Sequence, residues 1–232
     1  MSSSDTFRRK TEALVSGAGS PREAVERIAG FVRNDILYRL DEWDTSPEDV
    51  MRKGYGMCAG KALLAAQLFR AIKIPVQFKV LRISGEEGLF DFIADHPDEY
   101  FLSRLSLQDR ECVLRSIRSL PPHRDHIIVQ VFLEGEWTDL DLARDDMLDR
   151  GMRLAGIWRQ RQVLGEVGPL NSIDEWLKQR MQLRSVLECR QVFFDFVNQQ
   201  MDRIRHAGEQ VQGAQSEEPT KKHPKGDRQS AS

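Results

Sequence analysis

Gly54-Tyr55-Gly56-Met57-Cys58-Ala59-Gly60-Lys61-Ala62-Leu63-Leu64 is a glycine-broken turn that runs straight into an apolar helical pattern. The pattern continues through Leu68, Phe69 and Ile72 and is apolar on several faces. A helix of that kind, extending to about Lys73, is expected at the buried centre of a fold. Cys58 falls at its start. There the first N–H groups lack intrahelical acceptors and the helix dipole is positive, which favours the thiolate, the nucleophilic form of the side chain.

Working outward, Ile74-Pro75 ends this helix, and residues 76–83 alternate like a strand. Two more strand-like runs, 126–133 and 137–143, are joined through Glu134-Gly135. If those two residues form the centre of a hairpin turn, Phe132 faces Trp137, Gln130 faces Asp139 and Ile128 faces Asp141. Alternation then places His126, Ile128, Gln130 and Phe132 on one face with Trp137, Asp139 and Asp141. Ile127, Val129, Val131, Leu133, Thr138, Leu140 and Leu142 form the opposite, core face. Asp141 becomes the diagonal neighbour of His126, roughly 7–8 Å away between backbones. Asp139 lies two residues further off, so the register prefers Asp141 as the imidazole's partner.

Cys58, His126 and Asp141 are therefore the candidate catalytic residues. A thiolate attacks an acyl carbon, the imidazole moves the proton, and the carboxylate fixes the tautomer and stabilises imidazolium. The Cys58 backbone N–H is the expected oxyanion donor. Other cysteines and histidines invite plainer readings. Cys112 and Cys189 lie in helical patterns and are expected as core residues. His96 and His123 sit in polar, proline-containing stretches and are expected at the surface. Trp137 is expected to pack.

The ordered set Gly56-x-Cys58, Leu63-Leu64, Ile74-Pro75-Val76 and His126-x10-Trp137-x3-Asp141 resembles the transglutaminase-like domain. Trp43-Asp44-x-Ser46-Pro47-Glu48-Asp49-Val50 is similar to that family's lead-in to its nucleophile helix. The resemblance covers about residues 24–146. It implies a papain-like α+β fold with a central nucleophile helix packed on an antiparallel sheet. It also implies a Cys58–His126–Asp141 triad working without metal or cofactor. The family includes protein cross-linking enzymes, cysteine proteases, peptide glycanases and amide-forming enzymes. The chain departs from the family at Ile128, where an aromatic often follows the histidine by two. It also departs in the length of residues 84–124, which exceeds the usual bacterial connection.

The 232 residues are 40% hydrophobic and 30% charged, with formal net charge −2. That suits one domain with a sizeable core and supplies no bulk basic field for nucleic acid or an anionic membrane. No apolar run approaches the roughly 20 residues of a membrane helix. The first residues lack the apolar stretch of a signal peptide. Three widely spaced cysteines suggest no disulfide framework. A cytoplasmic protein is the resulting expectation.

Ser20-Pro21-Arg22-Glu23 and Ser46-Pro47-Glu48-Asp49 share one helix-start device, a serine cap followed by proline. The first predicts a helix to about Tyr38, the second a short helix ending before Gly54. A single domain is expected over 1–207, with its core at about 20–146 and a helical insertion at 84–124. Within the insertion, residues 107–120 are predicted helical, and the insertion is expected as a lid or wall of a cleft. Asn171-Ser172-Ile173-Asp174 is expected to cap a long helix over about 172–205. Residues 208–232 are expected to be disordered. The primary functional expectation is amide-forming or amide-exchanging acyl transfer from a peptide, amide or thioester donor to an amine. A cysteine peptidase or amidase with water as acceptor is the first alternative, and a catalytically silent interaction module the second.

Overall fold

The computed structural model describes residues 3–84, 89–119, 123–158, 162–182 and 189–216. Helix α1 (Ser3–Val15) is followed by α2 (Pro21–Gly30), whose cap Ser20 accepts the Glu23 N–H at 3.1 Å. The helix expected to reach Tyr38 stops earlier: it widens into a π-type turn over Phe31–Asp35 and gives way to β1 (Leu37–Tyr38). Helix α3 (Pro47–Lys53) is capped by Ser46, which accepts the Asp49 N–H at 3.1 Å. Gly54 closes α3 with φ of 72°, a left-handed conformation that other residues resist. Strand β2 (Tyr55–Gly56) then pairs in parallel with β1, and α4 (Cys58–Ala71) begins two residues later.

Helix α4 is the centre of the molecule. Ala59, Leu64, Ala65, Ala66, Leu68 and Phe69 are fully buried, as the all-round apolar pattern requires. A Cβ at position 60 would lie 2.9 Å from Val50 Cγ2, so α3 and α4 touch because residue 60 has no side chain. Helix α1, absent from the sequence-based expectation, packs on α4 through buried Phe7 and a Thr11 hydroxyl that donates to the Leu68 carbonyl at 3.3 Å.

The sheet has strand order β5-β4-β3-β6 and is antiparallel throughout. Strands β3 (Val76–Ser84) and β4 (His123–Leu133) run in unbroken register from Val76↔Val131 to Ser84↔His123. β5 (Glu136–Leu140) returns through Glu134 and Gly135, both at positive φ, as expected of a two-residue turn that matches strand twist. The observed pairs include Phe132↔Trp137 and Gln130↔Asp139, the register read from the sequence. The ladder ends at Val129↔Leu140, so Asp141 has left the strand. Thr138, expected in the core, is exposed because β5 is an edge strand. The opposite edge, β6 (Val163–Leu170), was not expected.

One core cluster joins Phe7, Ile28, Leu64 and Leu68 to Val129 and Val131 of the sheet. A second joins Cys58 to Leu89, Ile93, Val113, Ile117, Phe193 and Met201. Its residues come from α5 (Leu89–Asp95), α6 (Glu99–Ser103), α7 (Leu107–Arg118), α8 (Asp146–Leu154) and α10 (Arg190–Ser216). The insertion therefore contributes side chains to the core cluster that includes Cys58. Each fully buried Leu or Ile there contributes about 1.5–3 kcal/mol.

Three expectations need correction. The helix expected over 172–205 is α9 (Asp174–Gln182) followed by α10 beginning at Arg190, with 183–188 outside the described residues. Helix α10 extends to Ser216, so the start of the stretch expected to be disordered is helical, while 217–232 lies outside the described residues. The extension rests on backbone approach: a Cβ at Gly151 would lie 1.9 Å from the Ile204 carbonyl oxygen, and one at Gly208 2.7 Å from that of Met147. Finally, Cys112 and Cys189 form a disulfide, with Cα atoms 6.2 Å apart. That bridge removes the cysteine-based argument for a reducing compartment.

Candidate active site

Cys58 is the first residue of α4, a free thiol only 6% exposed. Its helix differs from α2, α3, α6, α7 and α8, which Ser20, Ser46, Asp98, Ser106 and Asp145 cap through their side chains. The N-cap of α4 is Met57, which makes no side-chain hydrogen bond. The first-turn N–H groups of α4 thus have no side-chain cap.

His126 lies opposite Leu81 within β4 and is 3% exposed. Its Nε2 is 3.0 Å from Asp141 Oδ1. The same carboxylate oxygen accepts the Ala143 N–H at 3.2 Å, a short local bond that turns the chain as it leaves β5. The Asp139 carboxylate instead takes the Gln130 amide and, at 3.4 Å, the Lys79 ammonium. Of the two aspartates weighed from the sequence, Asp141 is the one the structure pairs with the imidazole.

Lys61 stands one turn into α4 and is fully buried. Its ammonium lies 2.6 Å from the Ile36 carbonyl oxygen, 2.7 Å from that of Ala143 and 3.2 Å from that of Arg33. Three acceptors match the three donors of the protonated amine. Burial pushes the group down to about 7, with Asp145 and Asp141 pulling it back up and Arg205 and Arg33 opposing them. The only sequence signal for this role is a cation in the first turn of the most apolar helix; its acceptors come from distant segments.

Beyond Asp141 the chain is fixed by a second buried contact. Asp145 caps α8 by accepting the Leu148 N–H at 2.9 Å. Arg205 of α10 donates to both Asp145 oxygens at 2.8–3.1 Å and also to the Tyr38 carbonyl. Burial would raise the Asp145 carboxyl, but the Arg205 hydrogen bond and charge outweigh it and hold the group below the usual carboxylate range. On the other side of the lead-in, Trp43 meets Trp176 edge-on at 5.4 Å, and the Trp176 indole donates to Asp125, next to His126 in the chain, at 3.3 Å. None of these supporting contacts was anticipated.

The remaining candidates have other surroundings. His96 is exposed and stacks on Phe92 at 4.7 Å between ring centroids, and His123 opens β4. Among the described residues, no group of His, Cys, Asp or Glu is placed to hold a metal ion. Among the same residues, no helix is long and apolar enough to cross a membrane.

The sequence profile of the transglutaminase-like superfamily matches residues 8–142, more than half of the chain and a span containing Cys58, His126 and Asp141. The chain belongs to that superfamily. It is also similar to a solved structure, a candidate cysteine protease from Cytophaga hutchinsonii, at 16% identity and a TM-score of 0.41. That match covers 71% of this chain and 50% of the solved chain, so this protein spans about half of its neighbour's length. No curated protein matches the sequence significantly.

Proposed function

We propose that the protein is a cysteine-dependent acyltransferase in which Cys58 is the nucleophile, His126 the general acid and base, and Asp141 the group that orients and stabilises the imidazole. Superfamily membership supports cysteine-based chemistry in general. The observation that carries the assignment is the 3.0 Å contact between His126 Nε2 and Asp141 Oδ1, on the strand against which α4 packs.

In the first half-reaction the Cys58 thiolate adds to the carbonyl carbon of an amide or thioester. A C–S bond forms, and the carbonyl π electrons move to oxygen, to which the first-turn N–H groups of α4, without a side-chain cap, can donate hydrogen bonds. The oxyanion collapses, the C–N or C–S bond to the leaving group breaks, and imidazolium supplies the proton to the departing amine or thiolate. In the second half an amine attacks the Cys58 thioester while His126 accepts its proton, and the amide product leaves as the thiolate returns. The 6% exposure of Cys58, which shares a buried cluster with side chains of α5, α6 and α7, supports transfer over hydrolysis, because limiting water favours a bound amine. Hydrolysis is the second reading, favoured by the 43% exposure of the Asp141 side chain, which opens the dyad to solvent.

The test is partitioning. Turnover of a panel of peptide amides and thioesters is measured with increasing primary amine. Amide product rising at the expense of acid supports the transferase. Acid alone at every amine concentration assigns the hydrolase, and equal turnover by Cys58→Ala removes both.

A further inference from the structure

We propose that Lys61 is a positioning residue whose grip on the Ala143 carbonyl, from within the nucleophile helix, holds the Asp141 carboxylate on His126 and in register with Cys58. The inference rests on the proposed function and adds the device that aligns its parts. Cys58 and Lys61 are three residues apart on one helix, so they lie on neighbouring positions of one face. From Lys61 a short chain of contacts reaches the dyad. The ammonium donates to the Ala143 carbonyl at 2.7 Å, the Ala143 N–H donates to Asp141 Oδ1 at 3.2 Å, and that oxygen meets His126 Nε2 at 3.0 Å. The links are a helix, one residue's backbone and a carboxylate, so displacement at one end is passed to the other.

The remaining donors of Lys61 serve the lead-in. The carbonyls of Arg33 and Ile36 come from the π-type turn and the residue after it, where a helix end leaves carbonyls without intrahelical partners. From there the chain enters β1, which pairs with β2 immediately before Met57 and Cys58. One ammonium thus joins the lead-in, the nucleophile helix and the Asp141 turn. A methionine would fill the same space in this apolar helix without the cost of burying a charge. The lysine is explained by the need for three donors at one point.

The test compares the full-length protein with Lys61→Met and Lys61→Gln, using Asp141→Asn as reference. Two readouts are taken on the folded fraction: the His126 imidazole titration by 1H–15N NMR, and the pH profile of Cys58 alkylation by iodoacetamide. Losing the Asp141 contact removes an opposite charge from the imidazolium. Both lysine variants are therefore expected to lower the His126 titration midpoint by on the order of one pH unit, as Asp141→Asn should. The alkylation profile should move with it, and combining either variant with Asp141→Asn should add little. If Lys61→Met does not fold, Lys61→Gln, which keeps two donors and loses the charge, carries the comparison. Lower thermal stability with His126 titration and alkylation profiles superimposable on the wild type overturns the proposal and leaves Lys61 a structural clip. Failure of the proposed function looks different: Asp141→Asn would then leave Cys58 alkylation unchanged, while the NMR readout still reports on Lys61.

Discussion

Arg205 of the C-terminal helix and Asp145 at the start of α8 form a bidentate ion pair with side chains only 5% and 2% exposed. Through Tyr38 and the α8 cap this pair fixes both the lead-in to Cys58 and the segment that follows Asp141. Breaking one half leaves a buried charge without compensation. Arg205→Met is expected to lower the stability of folding by about 3–5 kcal/mol, measured as a shift in urea midpoint. Because the folded Asp145 carboxyl titrates below its unfolded value, its contribution is complete above the unfolded value of about 3.9 and is lost as pH falls through the lower, folded value. The variant and the wild type should therefore converge in stability under acid.

His126 and Asp141 should act as one unit. Alanine at either position is expected to slow acylation of Cys58 by on the order of 10²–10⁴-fold, and the double variant should be little slower than the singles. Asp139→Ala should have a small effect, since that carboxylate bonds Gln130 and Lys79. Stopped-flow burst rate constants with a chromogenic thioester report this directly. A severe Asp139→Ala defect beside a silent Asp141→Ala would reverse the assignment.

Lys61 gives the fold a signature in alkali. The folded group loses its proton at about 7 and the unfolded group at about 10.5, so between those values the unfolded chain binds one more proton. Its contribution to stability therefore rises with pH through that window, by up to about 1.4 kcal/mol per pH unit. Below and above the window the contribution is level. Denaturant midpoints of wild type minus Lys61→Met, measured from pH 6 to about 11, should show this slope; a flat difference would mean that the three carbonyls hold the ammonium charged throughout.

The disulfide predicts a thiol count. Denatured without reductant, the protein should take one iodoacetamide, at Cys58, and three after reduction. The bridge joins positions 77 residues apart, so its loss should lower stability by about 2–5 kcal/mol on the loop-entropy account. Three adducts without reductant would show the bridge absent. Shortening residues 84–124 to a tight loop should unfold the chain, because Leu89, Ile93, Val113 and Ile117 form part of the second core.

What the sequence made legible was local. The Ser20 and Ser46 caps are read within four residues, and the hairpin register follows from a two-residue turn and strict alternation, which is why Asp141 could be preferred over Asp139. Strand β6 carries Gly165, Gly168 and Pro169, and its pairing partners lie 80 to 92 residues earlier on β3, so no periodicity announces it. The two ends of the disulfide have no sequence relation that would reveal the pairing. Helix α10 continues past Gly208 because glycines permit backbone contact with α8, and an apolar count is blind to that. Lys61 interrupts an apolar stretch of α4. Its meaning lies in carbonyls 25, 28 and 82 residues away.

The central claim is a covalent thioester on Cys58. The most direct measurement is the intact mass of the protein after brief incubation with acyl thioesters and peptide amides and a quench in acid, followed by peptide mapping. One acyl group should appear, mapped to Cys58, discharged by hydroxylamine or an added amine, and absent from Cys58→Ala. Turnover of a substrate with no adduct on Cys58 under any trapping condition, or turnover that survives in Cys58→Ala, would contradict the account.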